Sequence, residues 1–424
     1  MKGDPALDSI KTNSKTAFNY VLAFVKWFVI ALFLGIFGGI LGSFFHISID
    51  FVTDFRGEYP NIVLLLPLGS LVITVLYRLL SANKKITTDR VIESVRKDKN
   101  IPLVMMPLIF AGTVITHLVG GSSGREGAAL QLGGSMGYNI GKFLRLEKND
   151  MHIIVMTGMS AVFAALFGTP VTAAIFSLEV TTVGFFHYAG LLPCIISSVT
   201  AVEVAKYFGL APVRFDGIQF GTLTWDITLK VMLFSIMCAV VSILFCAAQK
   251  KCSLVLEKLV KNVYLRAVAG GFAVLLLTVL VGNGDYNGAG MNVISRAIAG
   301  EADNFAFLLK IVFTAFTIAA GFKGGEIVPA FFIGSTFGCV MAPLLGMDPS
   351  FTAAIGFVAL FCGVVNCPVA SFILAVEVFG ADGILFFAIA CSVSYMMSGR
   401  FGIYHSQKIM YSKIEDEIID KHTI

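Results

Sequence analysis

The sequence contains few charged residues and no compact group of metal ligands. Only 14% of its 424 residues are Asp, Glu, Lys or Arg, whereas a soluble globular domain carries about 25%. The eight cysteines include no Cys-x-x-Cys pair, and the six histidines have no ligand spacing. We therefore predict no metal site and no cofactor. A nucleophile–base set is also missing, so we expect no enzyme activity.

Long apolar runs make up most of the chain instead. Hydrophobic residues account for 57% of the sequence, and the mean hydropathy is +0.85. Several runs approach or exceed the roughly 20 residues that span a bilayer: 24–45, 61–80, 227–248, 267–282, 305–321 and 383–397. The first run is too long for a signal peptide, and no small-residue cleavage pattern follows it. The sequence thus predicts an all-α polytopic protein of the lipid bilayer, with residues 1–19 as a cytoplasmic N-terminal segment.

Basic residues predict the orientation in the membrane. They collect at 2–26, 79–99, 250–266 and 400–421, and such segments face the cytoplasm by the positive-inside tendency. We expect both termini to be cytoplasmic and the membrane to be the plasma membrane. The net charge of +4 follows from this topology and does not indicate a nucleic-acid partner.

The chain contains an internal repeat. Segments 158–180 and 356–378 share 8 of 23 residues at a constant offset of 198, including Pro170 with Pro368 and Glu179 with Glu377. At offset 200, a Gly-x-x-Gly-x-Glu loop also recurs, with the following pairs: Gly121 and Gly321, Gly124 and Gly324, Glu126 and Glu326. Repeated halves with glycine-interrupted helices indicate a transport site at the repeat interface. The predicted halves are 20–210 and 226–424, joined by the polar loop 211–225.

The two glycine loops, GGSSGREG (120–127) and GFKGGEIVP (321–329), each read as a loop that enters a helix start. The first N–H groups of a helix have no internal acceptor, and with the helix dipole they form an anion site. Two such starts, one from each half, are expected to converge on one anion. Partial charges would hold the anion without trapping it.

Glu126 is predicted to act as a gate and a proton carrier, because its carboxylate can occupy an anion site at a helix start. The alternative is a first-turn glutamate that only complements the helix dipole. Arg125 is expected either to pair with an acidic group or to reach an aqueous vestibule. His117 is expected to form an interhelical hydrogen bond, although it could lie near the pathway.

At these loops the chain resembles the CLC family of chloride channels and proton-coupled anion antiporters. GREG followed by AALQLGGS is similar to the family's GREGP-x-x-Q-x-G-G helix, and 158–179 resembles its next helical segment. The resemblance implies an inverted repeat of tilted and broken helices, and a homodimer with one pore in each subunit. The small-residue segments of the repeat would also suit close helix packing. The family's cytoplasmic CBS domains are not expected within this sequence.

The resemblance also implies roles for particular residues. Glu126 would be the gating glutamate, and Tyr404 falls at the family's pore-lining tyrosine. Backbone amides of the two loops would bind the anion: Gly124, Arg125, Glu126 and Gly127 in the first, and Gly325, Glu326 and Ile327 in the second.

Several positions depart from the common family pattern. The family's GSGIP is absent, and KITTDRVIESV (85–95) offers Thr87 or Thr88 instead of the pore serine. Val180 stands where chloride-exchanging antiporters have an inner glutamate. GFKGGEIVP resembles the fluoride-exporting branch, except that Val328 replaces a threonine.

The expected function is transport of chloride or fluoride, coupled to protons through Glu126 and Glu326. Two acids at matching places could relay a proton, and Glu326 is expected to titrate during the cycle because a nearby anion repels its charge. Alternatively, Lys323 neutralises Glu326 permanently. A passive chloride channel is the competing function.

Overall fold

The computed structural model describes residues 5–80, 87–97 and 99–424, with side chains from residue 16 onward. It is mostly helical and confirms the prediction of an all-α polytopic membrane protein. Seven helices in the described ranges are long and apolar enough to cross a membrane. Residues 85 and 86 of the segment that replaces the family's serine motif lie outside the described residues.

The first half contributes eight α-helices. They are α1 Pro5–Glu58, α2 Leu66–Leu80, α3 Thr88–Arg96, α4 Met105–Val119, α5 Glu126–Phe143, α6 Lys148–Phe167, α7 Pro170–Glu179 and α8 Leu191–Tyr207. Short 3-10 helices at Pro60–Leu65 and Tyr188–Gly190 precede α2 and α8.

The second half also has eight α-helices in the same order of long and short elements. They are α9 Trp225–Leu259, α10 Val263–Val281, α11 Met291–Ile298, α12 Ala306–Ala319, α13 Ile327–Leu345, α14 Pro349–Val365, α15 Pro368–Phe379 and α16 Ile384–Met397. Residues 210–224 between α8 and α9 form neither helix nor strand.

Matching breaks divide the helices in both halves. Helix α6 ends at Gly168, which has a left-handed backbone (φ 69°), and Pro170 begins α7. Helix α14 ends at Asn366, also left-handed (φ 55°), and Pro368 begins α15. A left-handed residue ends a helix readily, and proline is tolerated at a helix start because it needs no N–H donor there. The same local chemistry therefore breaks the chain twice.

Short helices place the glycine loops at membrane depth. With 15 residues, α4 is about 22 Å long, and α12 with 14 residues is about 21 Å long, which is less than the roughly 30 Å hydrocarbon core. Both end at loops with left-handed glycines, Gly120 (φ 88°) and Gly321 (φ 91°). Irregular backbone at this depth is tolerated only where it is buried or lines a cavity.

Close glycine contacts pack the helix that follows each loop. A side chain on Gly133 of α5 would collide with the carbonyl oxygen of Gly158 in α6, and one on Gly334 of α13 would collide with that of Gly356 in α14. The helix backbones touch at these points, which is how small residues let membrane helices associate. Both helix starts are thereby fixed against a rigid neighbour.

A small three-stranded sheet, which the sequence analysis did not predict, joins the two halves. Strand β1 (Thr182–Val183) follows α7 and pairs in parallel with β2 (Lys408–Tyr411), which pairs in antiparallel fashion with β3 (Ile418–His422). The hydroxyl of Thr423, just after β3, donates to the carbonyl oxygen of Tyr404 at 2.5 Å. The sheet therefore supports the loop that carries Tyr404.

Candidate functional site

The two glycine loops are hydrogen-bonded to each other. The Gly124 N–H donates to the Gly325 carbonyl oxygen (2.6 Å), and the Gly325 N–H donates to the Gly124 carbonyl oxygen (2.7 Å), which forms an isolated antiparallel bridge. Helices α5 and α13 each begin two residues after these glycines, at Glu126 and Ile327. The free N–H groups and positive dipole ends of both helices therefore start from one point.

Glycine is required for this contact. A side chain on Gly324 would lie 2.7 Å from the Gly124 carbonyl oxygen, and one on Gly325 would lie 2.5 Å from the Gly127 nitrogen. These distances are too short for a real Cβ, and the obstructing atoms belong to the backbone. Both loops are buried beside each other because glycine lets two backbones approach this closely.

Glu126 is the first residue of α5, and its side chain is fully buried. The carboxylate lies near the backbone N–H groups of Arg125, Glu126 and Val328. Neither oxygen forms a hydrogen bond of good geometry with the described residues. The carboxylate thus lies beside the N–H groups of both helix starts, where the sequence analysis expected an anion.

Glu326 occupies the N-cap position of the other helix start, but its side chain does not cap that helix. It is the N-cap residue of α13 and is partly exposed, with no side-chain hydrogen bond to the helix. The Lys323 ammonium packs over the ring of Tyr77, 4.6 Å from its centroid. Among the described residues, no ion pair within 4 Å joins Lys323 to Glu326. The alternative in which Lys323 permanently neutralises Glu326 would favour a direct ion pair between them. No such pair is observed among the described residues.

Two cavities approach the paired loops. The first, about 310 Å³, is lined by Glu126 and by charged groups from α1 and from the loop before α11. The second, about 390 Å³, is lined by Glu326. Its other polar lining residues are Thr87, Thr88, Asp89, Gln249, Lys250, Ser253, Tyr404 and His405. Each cavity therefore reaches one of the two acids. No cluster of three or more potential metal ligands occurs in the described parts of the chain.

Arg125 pairs with an acidic group in the first cavity, one of its two expected alternatives. Its guanidinium donates to Asp50 of α1 at 2.8 Å. The other Asp50 oxygen lies 3.0 Å from His46 Nε2. The Arg125 side chain is therefore held by α1, and only its backbone belongs to the helix start.

The predicted residues of the second cavity come from three separate parts of the chain. Thr88 begins α3, and its hydroxyl accepts a hydrogen bond from Gln131 Nε2 of α5 at 3.0 Å. Thr87 is exposed and precedes α3. The buried Tyr404 hydroxyl has no hydrogen-bond partner among the described residues. Gln249 of α9 was not predicted; its Nε2 is also buried and unpaired.

Two glutamates that recur in the sequence repeat, but whose role was not predicted, connect the halves reciprocally. Glu179, at the end of α7, accepts from the backbone N–H groups of Val369 (3.2 Å) and Ala370 (2.8 Å) at the start of α15. Glu377, near the end of α15, accepts from the Val171 (3.0 Å) and Thr172 (2.8 Å) N–H groups at the start of α7. Each carboxylate satisfies the free donors of the other helix. The recurrence of Pro and Glu nine residues apart was the available signal.

The expected interhelical hydrogen bond of His117 is wrong. Its Nδ1 lies 3.0 Å from the Thr113 carbonyl oxygen within the same helix, α4. A carbonyl one turn earlier is within reach of a helical side chain, and it replaces the expected partner on another helix. The ring faces the first cavity.

Two related halves bring two acids and two helix starts together within broken apolar helices, which is the architecture of a membrane transport protein. The family described as "Voltage gated chloride channel" matches residues 69–399. A chloride/fluoride channel protein of Pseudomonas syringae pv. tomato is 34% identical over 396 residues, which cover 92% of this chain and 87% of the relative. An H(+)/Cl(-) exchange transporter of Vibrio campbellii is 25% identical over 382 residues, covering 82% of this chain and 80% of the relative.

Solved structures give the same result. A CLC-type fluoride/proton antiporter superposes with a TM-score of 0.87 at 32% identity, covering 91% of this chain and 98% of that chain. A slow cyanobacterial Cl-/H+ antiporter shares the fold at a TM-score of 0.76 and 18% identity, covering 88% of this chain and 94% of that chain. The chain therefore belongs to the CLC family of integral membrane transport proteins.

Proposed function

We propose that this protein exchanges fluoride or chloride for protons across the plasma membrane, with both termini in the cytoplasm. The observation that carries the proposal is the position of Glu126. A fully buried carboxylate without a good hydrogen-bond partner lies between two helix starts. An ionised group there competes with an anion, and a protonated one can withdraw. Proton binding to Glu126 and anion entry are thus coupled at one place.

The orientation follows from charge. Basic segments that are predicted to be cytoplasmic contribute Lys250 and His405 to the second cavity. The second cavity then opens to the cytoplasm, and the first opens to the outside. Glu126 would serve as the outer gate, and Glu326 would receive protons from the inside.

Fluoride is favoured as a substrate by the relatives. The CLC-type fluoride/proton antiporter and the chloride/fluoride channel protein are the relatives described above with 30% identity or more. Anion contacts are proposed for backbone amides of both loops and for the polar groups of Thr87, Thr88 and Tyr404. On the family resemblance, we propose a homodimer with one pore in each subunit.

Proteoliposomes test the proposal directly. Purified protein is reconstituted, and efflux is recorded with fluoride-selective and chloride-selective electrodes together with an internal pH probe. We expect fluoride efflux to drive proton uptake against a proton gradient. Anion flux that never moves protons uphill would identify a passive channel, and the absence of any anion flux would reject the transport assignment.

The dimer is tested separately by cross-linking in native-like lipid. Pairs of single cysteines on the lipid-facing sides of α7 and α15 should cross-link between subunits. A purely monomeric product at every position tested would reject the dimer.

A further inference from the structure

One ring nitrogen of His117 is hydrogen-bonded, and the other has no hydrogen-bond partner among the described residues. Its imidazole is 1% exposed, and Nδ1 lies 3.0 Å from the Thr113 carbonyl oxygen. A carbonyl can only accept, so Nδ1 carries the proton. In the neutral ring Nε2 is then an acceptor, and it has no hydrogen-bond partner among the described residues.

The ring lies in the same cavity as the gate. His117, Arg125 and Glu126 all line the first cavity. An acceptor that loses water without gaining a donor destabilises the fold, so native proteins rarely leave one unused. The unused Nε2 is therefore free to accept a hydrogen bond from a donor that enters this cavity.

The surroundings disfavour a positive charge on the imidazole, because burial removes the water that would solvate that charge. Arg56, Arg125 and Lys310 are the cations close enough to oppose a positive charge on the ring. The fully buried Lys310 ammonium donates to the Gly288 carbonyl oxygen at 2.8 Å, and no carboxylate among the described residues pairs with it. His117 is thus suited to accept a hydrogen bond and poorly suited to carry a proton.

Charged groups reach this region from every neighbouring element. The acidic groups are Asp50 and Asp54 of α1, Glu126 of α5 and Asp285 before α11. From α2, Tyr77 faces α4 beside Gly112, together with Lys323. The charges of Asp50 and Asp285 are already paired with Arg125 and Arg296. Asp54 is exposed to solvent, so Glu126 is the buried acid of this cavity that lacks a hydrogen-bond partner among the described residues.

We propose that His117 Nε2 accepts a hydrogen bond from the protonated carboxyl of Glu126 when that side chain leaves the anion site, so that His117 is a positioning residue for the open gate. The bond forms in one protonation state only, because an ionised carboxylate has no proton to donate. This inference depends on the proposed function, since it takes Glu126 as the gate.

The proposed hydrogen bond predicts the direction in which the pH dependence of transport should change when His117 is replaced. A bond made only to protonated Glu126 favours protonation, and so it moves the midpoint of transport activation to higher pH. Replacing His117 by an apolar residue should move that midpoint to lower pH. The worth of one hydrogen bond corresponds to a shift of about 0.4 to 1 pH unit.

The test compares His117→Leu with Thr113→Val in fluoride-loaded proteoliposomes over a range of external pH. Thr113→Val removes a buried hydroxyl, one turn away, for which the described residues supply no partner, and it keeps the backbone carbonyl that orients His117. We expect an acid shift for His117→Leu and none for Thr113→Val. His117→Gln, which retains a carbonyl acceptor, should fall between His117→Leu and wild type, and it serves as the test variant if His117→Leu does not fold.

A double variant shows whether the effect passes through the gate. In a Glu126→Ala background, His117→Leu should leave the pH profile of fluoride flux unchanged, because the donor is gone. Three results would each overturn the inference. They are a pH midpoint that is unchanged in both folded His117 variants, a Thr113→Val shift equal to that of His117→Leu, and a His117→Leu shift that persists without Glu126. Wild-type protein that moves no fluoride would instead reject the proposed function itself.

Discussion

The two glycine loops have the same Gly-x-x-Gly-x-Glu pattern, but their acids lie in different surroundings. Glu126 is fully buried, and the charged groups beside it are engaged elsewhere, as in the Arg125–Asp50 pair. Glu326 is partly exposed and lines a cavity with the uncharged donors of Tyr404 and Gln249. A repeated motif therefore need not give a repeated function. The comparison favours an occluding gate at one loop and a water-accessible proton acceptor at the other.

The largest expected effect is that of Glu126→Gln. This change removes the titrating group and keeps the shape, so that proton movement should fall to background while some fluoride movement remains. Simultaneous recording of fluoride and proton flux in proteoliposomes measures both. Proton pumping at the wild-type ratio would show that Glu126 is not the gate.

Glu326→Gln should have the next largest effect. If Glu326 receives protons, exchange should slow by about ten-fold or more, which is 1.4 kcal/mol in the barrier, and the pH profile should flatten. Lys323→Met is the companion variant: Lys323 packs on Tyr77 and acts on Glu326 only through its charge, without an ion pair among the described residues, so its profile should change less than that of Glu326→Gln. A Glu326→Gln rate and profile equal to wild type would leave Glu326 as a structural residue.

The reciprocal glutamates provide a comparison on stability. Glu179 is buried, whereas Glu377 is partly exposed. Each accepts two backbone hydrogen bonds, and bonds to charged groups contribute about 1.5–3 kcal/mol each. We expect Glu179→Gln to lower the thermal unfolding temperature in detergent by more than Glu377→Gln. Equal decreases in the unfolding temperature would mean that burial does not make Glu179 a more stabilising helix cap than Glu377.

The smallest effect is expected for Asp50→Asn. The Arg125–Asp50 pair is 2.8 Å long, but the Asp50 side chain is 52% exposed, and exposed pairs are usually worth less than about 1 kcal/mol. Unfolding temperature and exchange rate should both remain near wild type. A large loss of exchange would show that the Arg125 side chain, and not only its backbone, belongs to the anion path.

The sequence predicted the fold and the meeting of the two loops because both are local signals that occur twice. Glycine spacing, a proline at a helix start and an acid at the first turn can each be recognised within a few residues. The Gly124–Gly325 bridge then needs only that related halves meet face to face.

Other features depend on tertiary contacts that no local pattern encodes. The partners of Glu179 lie about 190 residues further along the chain. The sheet of β1, β2 and β3 uses strands of two to five residues, which are too short for a periodic signal. The sequence indicated that His117 would form a hydrogen bond. Its partner, and the ring nitrogen left without one, could be identified only from the position of the ring in the structure.

The most direct test of the account is fluoride binding measured by isothermal titration calorimetry. The central claim is that the ionised Glu126 carboxylate and an anion compete for the same two helix starts. At pH 8, Glu126→Gln should therefore bind fluoride about ten-fold more tightly than wild type, a difference of 1.4 kcal/mol. The two affinities should converge as the pH falls and Glu126 becomes protonated. Equal affinities at pH 8, or a difference that does not change with pH, would contradict the claim.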